Sequence, residues 1–403
     1  MEYPVWVEVD LDALLHNVEV LRRDLGPATR LLFVVKADAY GHGAREVCRF
    51  AQNLAVDMFG VATLHEAIEL REAGVRAPIL ILSPALPSEV EGIVRYDLRS
   101  SASTREFARR LSRVASALGH TATVHIEVDT GMGRGGVRYE TAVQYVLETA
   151  RLPGIAVEGV YTHFPTSDSS DLSFAHEQIG RFERIISELG ERGFRPPMYH
   201  ASNSAAILNL PEASLEMVRP GYLLYGHLPV HPGRTIDVAP VMSFKSRVVQ
   251  VKDVPAGEGL SYGQTFRTSR PSKIGVVPVG YGHGYPFALS NRGVVLIAGH
   301  RVPVVGRVTM DITLVDLTDV PRATLGDEVV LLGSQGEESV SLGEVAALAD
   351  TIGYEFLCSI GKRVPRSFLA GHEVRKTVTM IGDHDPAAPE PDGGWKGLGS
   401  VDA

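Results

Sequence analysis

A rhythm in the chain constrains its fold more than any other feature. Between residues 31 and 219, short apolar runs alternate with helical patterns. The runs fall at 31–36, 57–62, 78–83, 97–101, 122–128, 155–163, 198–202 and 214–219. Amphipathic patterns at 44–53, 64–73, 87–95, 104–118, 138–151 and 174–192 lie between them, with a short one at 204–209. Eight such units over about 200 residues predict an α/β chain whose N-terminal part is a (β/α)8 TIM barrel. A doubly wound parallel sheet is the alternative. The rhythm stops at 228–236, LPVHPGRTI. Glycine-punctuated segments at 241–252, 273–279, 293–298, 301–305, 312–317 and 327–332 follow, with one helical pattern at 342–353. They predict a separate C-terminal, mostly-β domain. Residues 5–9 (VWVEV) read as a strand, and Asp10 or Asp12 caps the helix after it. The expected division is an N-terminal strand at 1–13 associated with the C-terminal domain, a cofactor-binding barrel at 14–232, a β domain at 233–381 and a mobile tail at 382–403. The tail expectation rests on its Pro/Gly-rich, polar composition.

Charge narrows the partners. The chain carries a net charge of −9 and no basic run. It is not expected to bind nucleic acid or an anionic membrane. The N-terminus has no signal-like stretch, and no run approaches the length of a membrane span. The two cysteines, Cys48 and Cys358, stand in no metal-binding spacing. A cytoplasmic protein with no metal site is expected.

In such a barrel, chemistry gathers at the carboxyl ends of the strands. The run Leu31-Leu32-Phe33-Val34-Val35 delivers Lys36 there, before Tyr40 and two glycines. Desolvation lowers the pKa of a lysine so placed, making it a usable base or carbonyl-carrying amine. The plain alternative is a lysine that snorkels to water. Arg134 follows the fifth strand, His163 ends the sixth, His200, Asn203 and Ser204 the seventh, and Arg219, Gly221 and Tyr222 the eighth. Any one of these is weak; their convergence on one rim points to a site. Ser204, Gly221 and the Tyr222 amide lie where barrels often bind phosphate. A lysine facing a phosphate cup suggests pyridoxal 5'-phosphate. Residues 131–136 also match G-x-G-x-x-G, with Glu158 as the acid for a dinucleotide ribose. Against that reading, Arg134 would crowd a pyrophosphate, and the motif does not open the domain. By strand alternation Glu127 shares a face with His125 and Asp129; if that face is inward, Arg134 is its natural ion partner.

The stretch VVKADAYGHG resembles the cofactor-lysine signature of the alanine racemase family. DTGMGR, THF, NSAA, VRPGYLLYG, LSYGQTF, VGYGHGY, VGRVTMD and YEFLCSIGKRVPR extend the resemblance in order over about residues 5–370. It implies a homodimeric pyridoxal-phosphate enzyme that interconverts L- and D-alanine for the bacterial cell wall, with sites shared between subunits. It implies Lys36 as cofactor lysine and base, and Tyr262 of the partner subunit as the opposing base. His163 and Arg219 would support them, with Arg219 on the pyridine nitrogen. Tyr40, Asn203, Ser204, Gly221, Tyr222 and Tyr354 would hold the cofactor. Arg134 and the Met310 amide would meet the substrate carboxylate, and Tyr281 and Asp311 would line the entrance. Racemisation needs one base on each face of Cα. His163 with Arg219 behind it would form a cationic neighbourhood that lowers the tyrosine pKa. Family members often carry a carbamylated lysine where this chain has Glu127, which would orient Arg134 directly. His283 and Pro165 depart from the family pattern; His283 would alter the entrance charge. Racemases of serine, ornithine, lysine or broad range share the scaffold. A non-catalytic pyridoxal-phosphate carrier is a further alternative, but such proteins lack the β domain and so Tyr262.

Overall fold

The structure, a computed structural model, describes residues 3–384. Its first body is a closed eight-stranded parallel barrel: Arg30–Val34, Met58–Val61, Ile79–Ile81, Arg99–Ser101, Ala122–Asp129, Ile155–Tyr161, Met198–Asn203 and Met217–Arg219. Each strand pairs in parallel with the next, and Met217–Arg219 returns to Arg30–Val34. Leu31, Leu32, Phe33, Val34 and Val35 are all buried, because a barrel strand is covered by side chains inside and helices outside. The surrounding helices start where their caps dictate. Asp10 accepts from the amides of Asp12 and Ala13, and Thr63 with Glu66 forms a reciprocal capping box.

The second body is a nine-stranded sheet in which the first and last described segments meet. Val5–Asp10 lies between Met242–Arg247, antiparallel to it, and Arg366–Ala370, parallel to it. Val5, Val7 and Val9 point into the core while Glu8 turns outward to Lys245, 2.9 Å away. A three-stranded sheet (Gln250–Val254, Ser272–Val277, Thr313–Asp316) and a small ribbon complete this half. One apolar cluster runs through barrel and sheet alike, from Leu31 and Phe33 to Phe356 and Phe368. Among the described residues, no helix is long and apolar enough to cross a membrane.

Several boundaries differ from the sequence pattern. The first barrel strand stops at Val34, two residues short of Lys36. The pattern at 138–151 opens as a two-residue strand and a 3-10 turn before the helix Ala142–Ala150. The pattern at 342–353 is a helix only over Leu342–Leu348, because Asp350 takes a left-handed φ of 54° and breaks it. A second helix, Gly353–Ser359, then follows. The expected tail begins as a strand: Gly382–His384 pairs with Glu373–Thr379 because Thr377, Val378 and Thr379 offer a ladder edge. The rest of that tail lies outside the described residues.

Candidate active site

Lys36 opens a backbone turn of the wrong hand. Ala37, Asp38, Ala39 and Tyr40 have φ of 52°, 56°, 55° and 52°. A left-handed helical conformation costs an L-residue about 1–2 kcal/mol, so this turn must be held from outside. Glu66 does so at the start, where its Oε1 accepts from the Ala37 amide at 2.7 Å. Asp38 accepts from the Ala44 amide at 2.8 Å. The buried Nδ1 of His42 lies 2.9 Å from the Ala39 carbonyl and 3.0 Å from that of Tyr40. Two carbonyls can only accept, so this nitrogen carries the proton. The turn aims Lys36 into a cavity of about 720 Å³ at the carboxyl end of the barrel. Burial lowers the Lys36 pKa, and the nearby Arg134 charge adds to the effect; Glu66 and Cys358 oppose it.

The same cavity is lined by Tyr40, Glu127, Arg134, His163, Asn203, Ser204, Arg219, Gly221, Tyr222 and, from the β domain, Tyr354. Ser204 Oγ accepts from the amides of Gly221 at 3.0 Å and Leu223 at 3.3 Å, leaving its O–H free to donate. A Cβ on Gly221 would lie 3.0 Å from the Tyr40 hydroxyl, so only glycine leaves that corner open. Tyr222 stacks on Tyr354 at 4.2 Å, and Tyr354 lies 5.8 Å from Tyr40. Asn203 is occupied structurally, accepting from Ser167 and from the Ala206 amide.

Arg219 is fully enclosed. Its Nη2 donates to the carbonyls of Thr162 and Ala201 and lies 3.3 Å from His163 Nδ1. Its Nη1 lies 2.9 Å from His200 Nδ1. Arginine only donates, so His200 Nδ1 accepts and its proton sits on Nε2; both Nη2 N–H groups go to the carbonyls, so His163 Nδ1 faces the guanidinium as an acceptor sharing one of them. His200 Nε2 then donates to His125 Nδ1 at 2.8 Å, and His125 Nε2 to Glu158 at 3.0 Å. Every bond in this chain from Arg219 to Glu158 has one permitted direction. Burial pushes the His163 pKa down to about 3, with the Arg219, Arg134 and Lys36 charges adding to it. The expected cationic neighbourhood therefore resides in Arg219, with His163 as a neutral donor. Burial also lowers Arg219, to about 10, which leaves it charged at neutral pH.

Glu127 is 5% exposed and faces inward. Burial raises its carboxyl pKa, and the charges of Arg134 and Arg219 pull it back. Among the described residues no direct hydrogen bond joins Glu127 to Arg134. The dinucleotide reading fails on geometry. Asp129 Oδ1 takes the amides of Gly131 and Gly133, both at 3.0 Å, so these cannot cradle a pyrophosphate. Glu158 is held by His125 and Arg99 instead of a ribose.

Four expected site residues lie outside this cavity. Tyr262, Tyr281 and Met310 are 72%, 47% and 53% exposed on the β domain, and Asp311 is also exposed. Asp311 pairs with Arg363 at 3.0 Å. Tyr281 and Met310 are tied together, since the amide of Gly282 donates to the Met310 carbonyl. Tyr262 follows Ser261, whose φ of 58° and ψ of −173° belong to a region that side chains avoid. The Ser261 hydroxyl, donating to the Arg307 carbonyl at 2.6 Å, holds that strain. His283 is buried, its pKa lowered by burial and by Arg363, and so adds no charge to an entrance. Pro165 is part of the cavity wall. Cys358, Tyr161 and Asp168 also line the cavity and carry no sequence signal. Glu66 is legible in the sequence as the acid at the third helical position of a capping box opened by Thr63.

Two family models match the chain: "Alanine racemase, N-terminal domain" over residues 9–229 and "Alanine racemase, C-terminal domain" over 241–368. The chain belongs to the alanine racemase family. It is 43% identical over 369 residues to the alanine racemase of Halothermothrix orenii, covering 91% of this chain and 97% of that one. With that of Syntrophobacter fumaroxidans it shares 44% over 367 residues, 91% and 98% of the two chains. The solved alanine racemase of Clostridium difficile 630 superposes with a TM-score of 0.90 at 34% identity, over 94% of this chain and all of that one. That of Bacillus anthracis with bound L-Ala-P gives 0.88 at 35%, over 94% and 99%.

Proposed function

We propose that the protein racemises alanine with pyridoxal phosphate, using Lys36 and Tyr262 of the partner subunit as its two bases. Names and near-complete coverage of the relatives support the substrate. One observation carries the rest of the reading. Lys36, Arg134 and Arg219 share one cavity, while Tyr262 stands exposed on a strained turn of the other domain. A site with one base in a pocket and the other on an outer surface is completed by a second copy.

Pyridoxal phosphate suits the donor set. Lys36 offers an amine with a lowered pKa, the Ser204 O–H and the Tyr222 amide a phosphate cup beside the side-chain-free corner at Gly221, and Arg219 an N–H for a ring nitrogen. The bound cofactor supplies an electron sink for the charge left when the Cα proton departs. Arg219 cannot accept a proton, and its donation to the Thr162 and Ala201 carbonyls and to His200 Nδ1 keeps it charged, so it limits how far that sink is protonated. Arg134 binds the substrate carboxylate, and Glu127 sets the electrostatics of Arg134. The Lys36 amine holds or releases a proton on one face of Cα. The Tyr262 phenol of the partner subunit does so on the other, with neutral His163 and Arg219 behind it as hydrogen-bonding support. D-alanine then serves peptidoglycan synthesis in the cytoplasm, where the unpaired Cys48 and Cys358 stay reduced.

The test is Cα-deuterium exchange measured separately from L- and D-alanine in Tyr262→Phe. Exchange is expected to fall by about a hundredfold or more from one enantiomer only, the size of a lost general base. Equal loss from both contradicts one base per face.

A further inference from the structure

Arg366 is 4% exposed, yet its nearest partners are carbonyls rather than carboxylates. Its Nε and Nη2 both donate to the Gly41 carbonyl, at 3.2 and 3.1 Å. Nη2 also donates to Ile360 O at 2.5 Å, and Nη1 to Gly361 O at 2.5 Å and Val364 O at 2.6 Å. Gly41 ends the left-handed turn that begins after Lys36, in the barrel. The other three carbonyls belong to the β domain, in the loop after the helix Gly353–Ser359. That helix brings Tyr354 and Cys358 to the cavity. One rigid, planar cation therefore bridges the two segments that meet at the cavity.

The bridge is reinforced by backbone contact. A Cβ on Gly41 would lie 2.2 Å from the Leu357 carbonyl, so turn and helix pack with no side chain between them. A buried guanidinium needs all its N–H groups satisfied, and an unpaired one is costly. Here that need is met only when Gly41 and the loop after Ser359 are in place together. The same condition fixes the end of a turn whose conformation is unfavourable by itself.

We propose that Arg366 is a positioning residue for the cofactor site. It locks the turn that presents Lys36 and Tyr40 to the helix that presents Tyr354, so the pocket reaches its working geometry only with the β domain docked. The proposal rests on the reading that Lys36 carries pyridoxal phosphate. Lys36→Ala checks that reading by itself: retention of a cofactor covalently trapped by borohydride would defeat the reading, whatever Arg366 does.

The direct test is Arg366→Lys, which keeps the charge but offers a compact ammonium that cannot span four carbonyls. Circular dichroism checks its fold, and titration of the cofactor-free dimer with pyridoxal phosphate gives the dissociation constant. The expected result is a native fold, a dissociation constant raised at least about tenfold, and a KM for alanine changed less than about threefold once the cofactor saturates. Methylguanidinium should partly restore affinity in Arg366→Ala. A folded Arg366→Lys that binds the cofactor within about twofold of wild type overturns the proposal. Should neither variant fold, wild-type hydrogen exchange decides. Adding pyridoxal phosphate should protect residues 37–43 and 357–366 together; protection of 37–43 alone overturns the proposal.

Discussion

Glu127 is the buried carboxylate whose charge acts on Arg134, the residue proposed to meet the substrate carboxylate. Strand alternation alone points it toward Arg134, and it is inward and buried at the cavity. Its carboxyl feels burial and two arginines in opposite directions. Replacing it with glutamine removes the charge while keeping the shape. Glu127→Gln should lower kcat/KM for alanine by about tenfold, mostly through KM, as expected for a lost charge-assisted interaction. Steady-state kinetics at saturating cofactor checks this, and unchanged constants would remove Glu127 from the site. Acid stability belongs to the same scale. Burial pushes His42 to about 3 and His227 to about 4, below the usual histidine value near 6.5. Folded, both stay neutral as pH falls; unfolded, both take up protons below about 6.5. The unfolded state then binds more protons, so stability is full above that value and is lost as pH drops toward 4 and 3. Urea midpoints measured from pH 7 to pH 5 should fall, and fall less in His42→Gln than in wild type. An equal slope in the two would contradict a neutral His42.

At the scale of elements, the turn after Lys36 separates what was legible from what was not. Burial of residues 31–35 and a lysine beyond them could be read from the run of apolar side chains. The left-handed path of Ala37–Tyr40 could not, because none of these residues is glycine and nothing local favours it. It is imposed by Glu66 and Arg366, which come from other parts of the chain, with His42 just beyond the turn bonding its carbonyls. The three-residue strand Arg99–Ser101, polar throughout, was visible only through the surrounding rhythm. The helix carrying Tyr354 was hidden because Asp350 and Ile352 interrupt its pattern. Gly41 is the position where that turn admits no side chain. With φ at 79° and the Leu357 carbonyl oxygen 2.2 Å from where a Cβ would sit, Gly41→Ala must shift backbone rather than a rotamer. It should destabilise the protein by at least about 2 kcal/mol, since left-handed strain and overpacking add. Differential scanning calorimetry would show it as a lowered Tm, together with weaker cofactor binding.

At the scale of the molecule, the chain's first strand lies in the middle of its last sheet, so the barrel is clasped between two parts of one β domain. That arrangement fixes Tyr354 beside Lys36 within one chain. It leaves Tyr262, Tyr281 and Met310 facing outward. The account's central claim is that these outward residues complete the site of a second copy. Mixing inactive Lys36→Ala and Tyr262→Phe subunits tests it most directly. After verified subunit exchange, each mixed dimer holds one site with both bases intact. Racemase activity should then recover to about a quarter of wild type, the share of intact sites under random pairing. Activity that stays at the level of the separate variants would contradict a site shared between subunits.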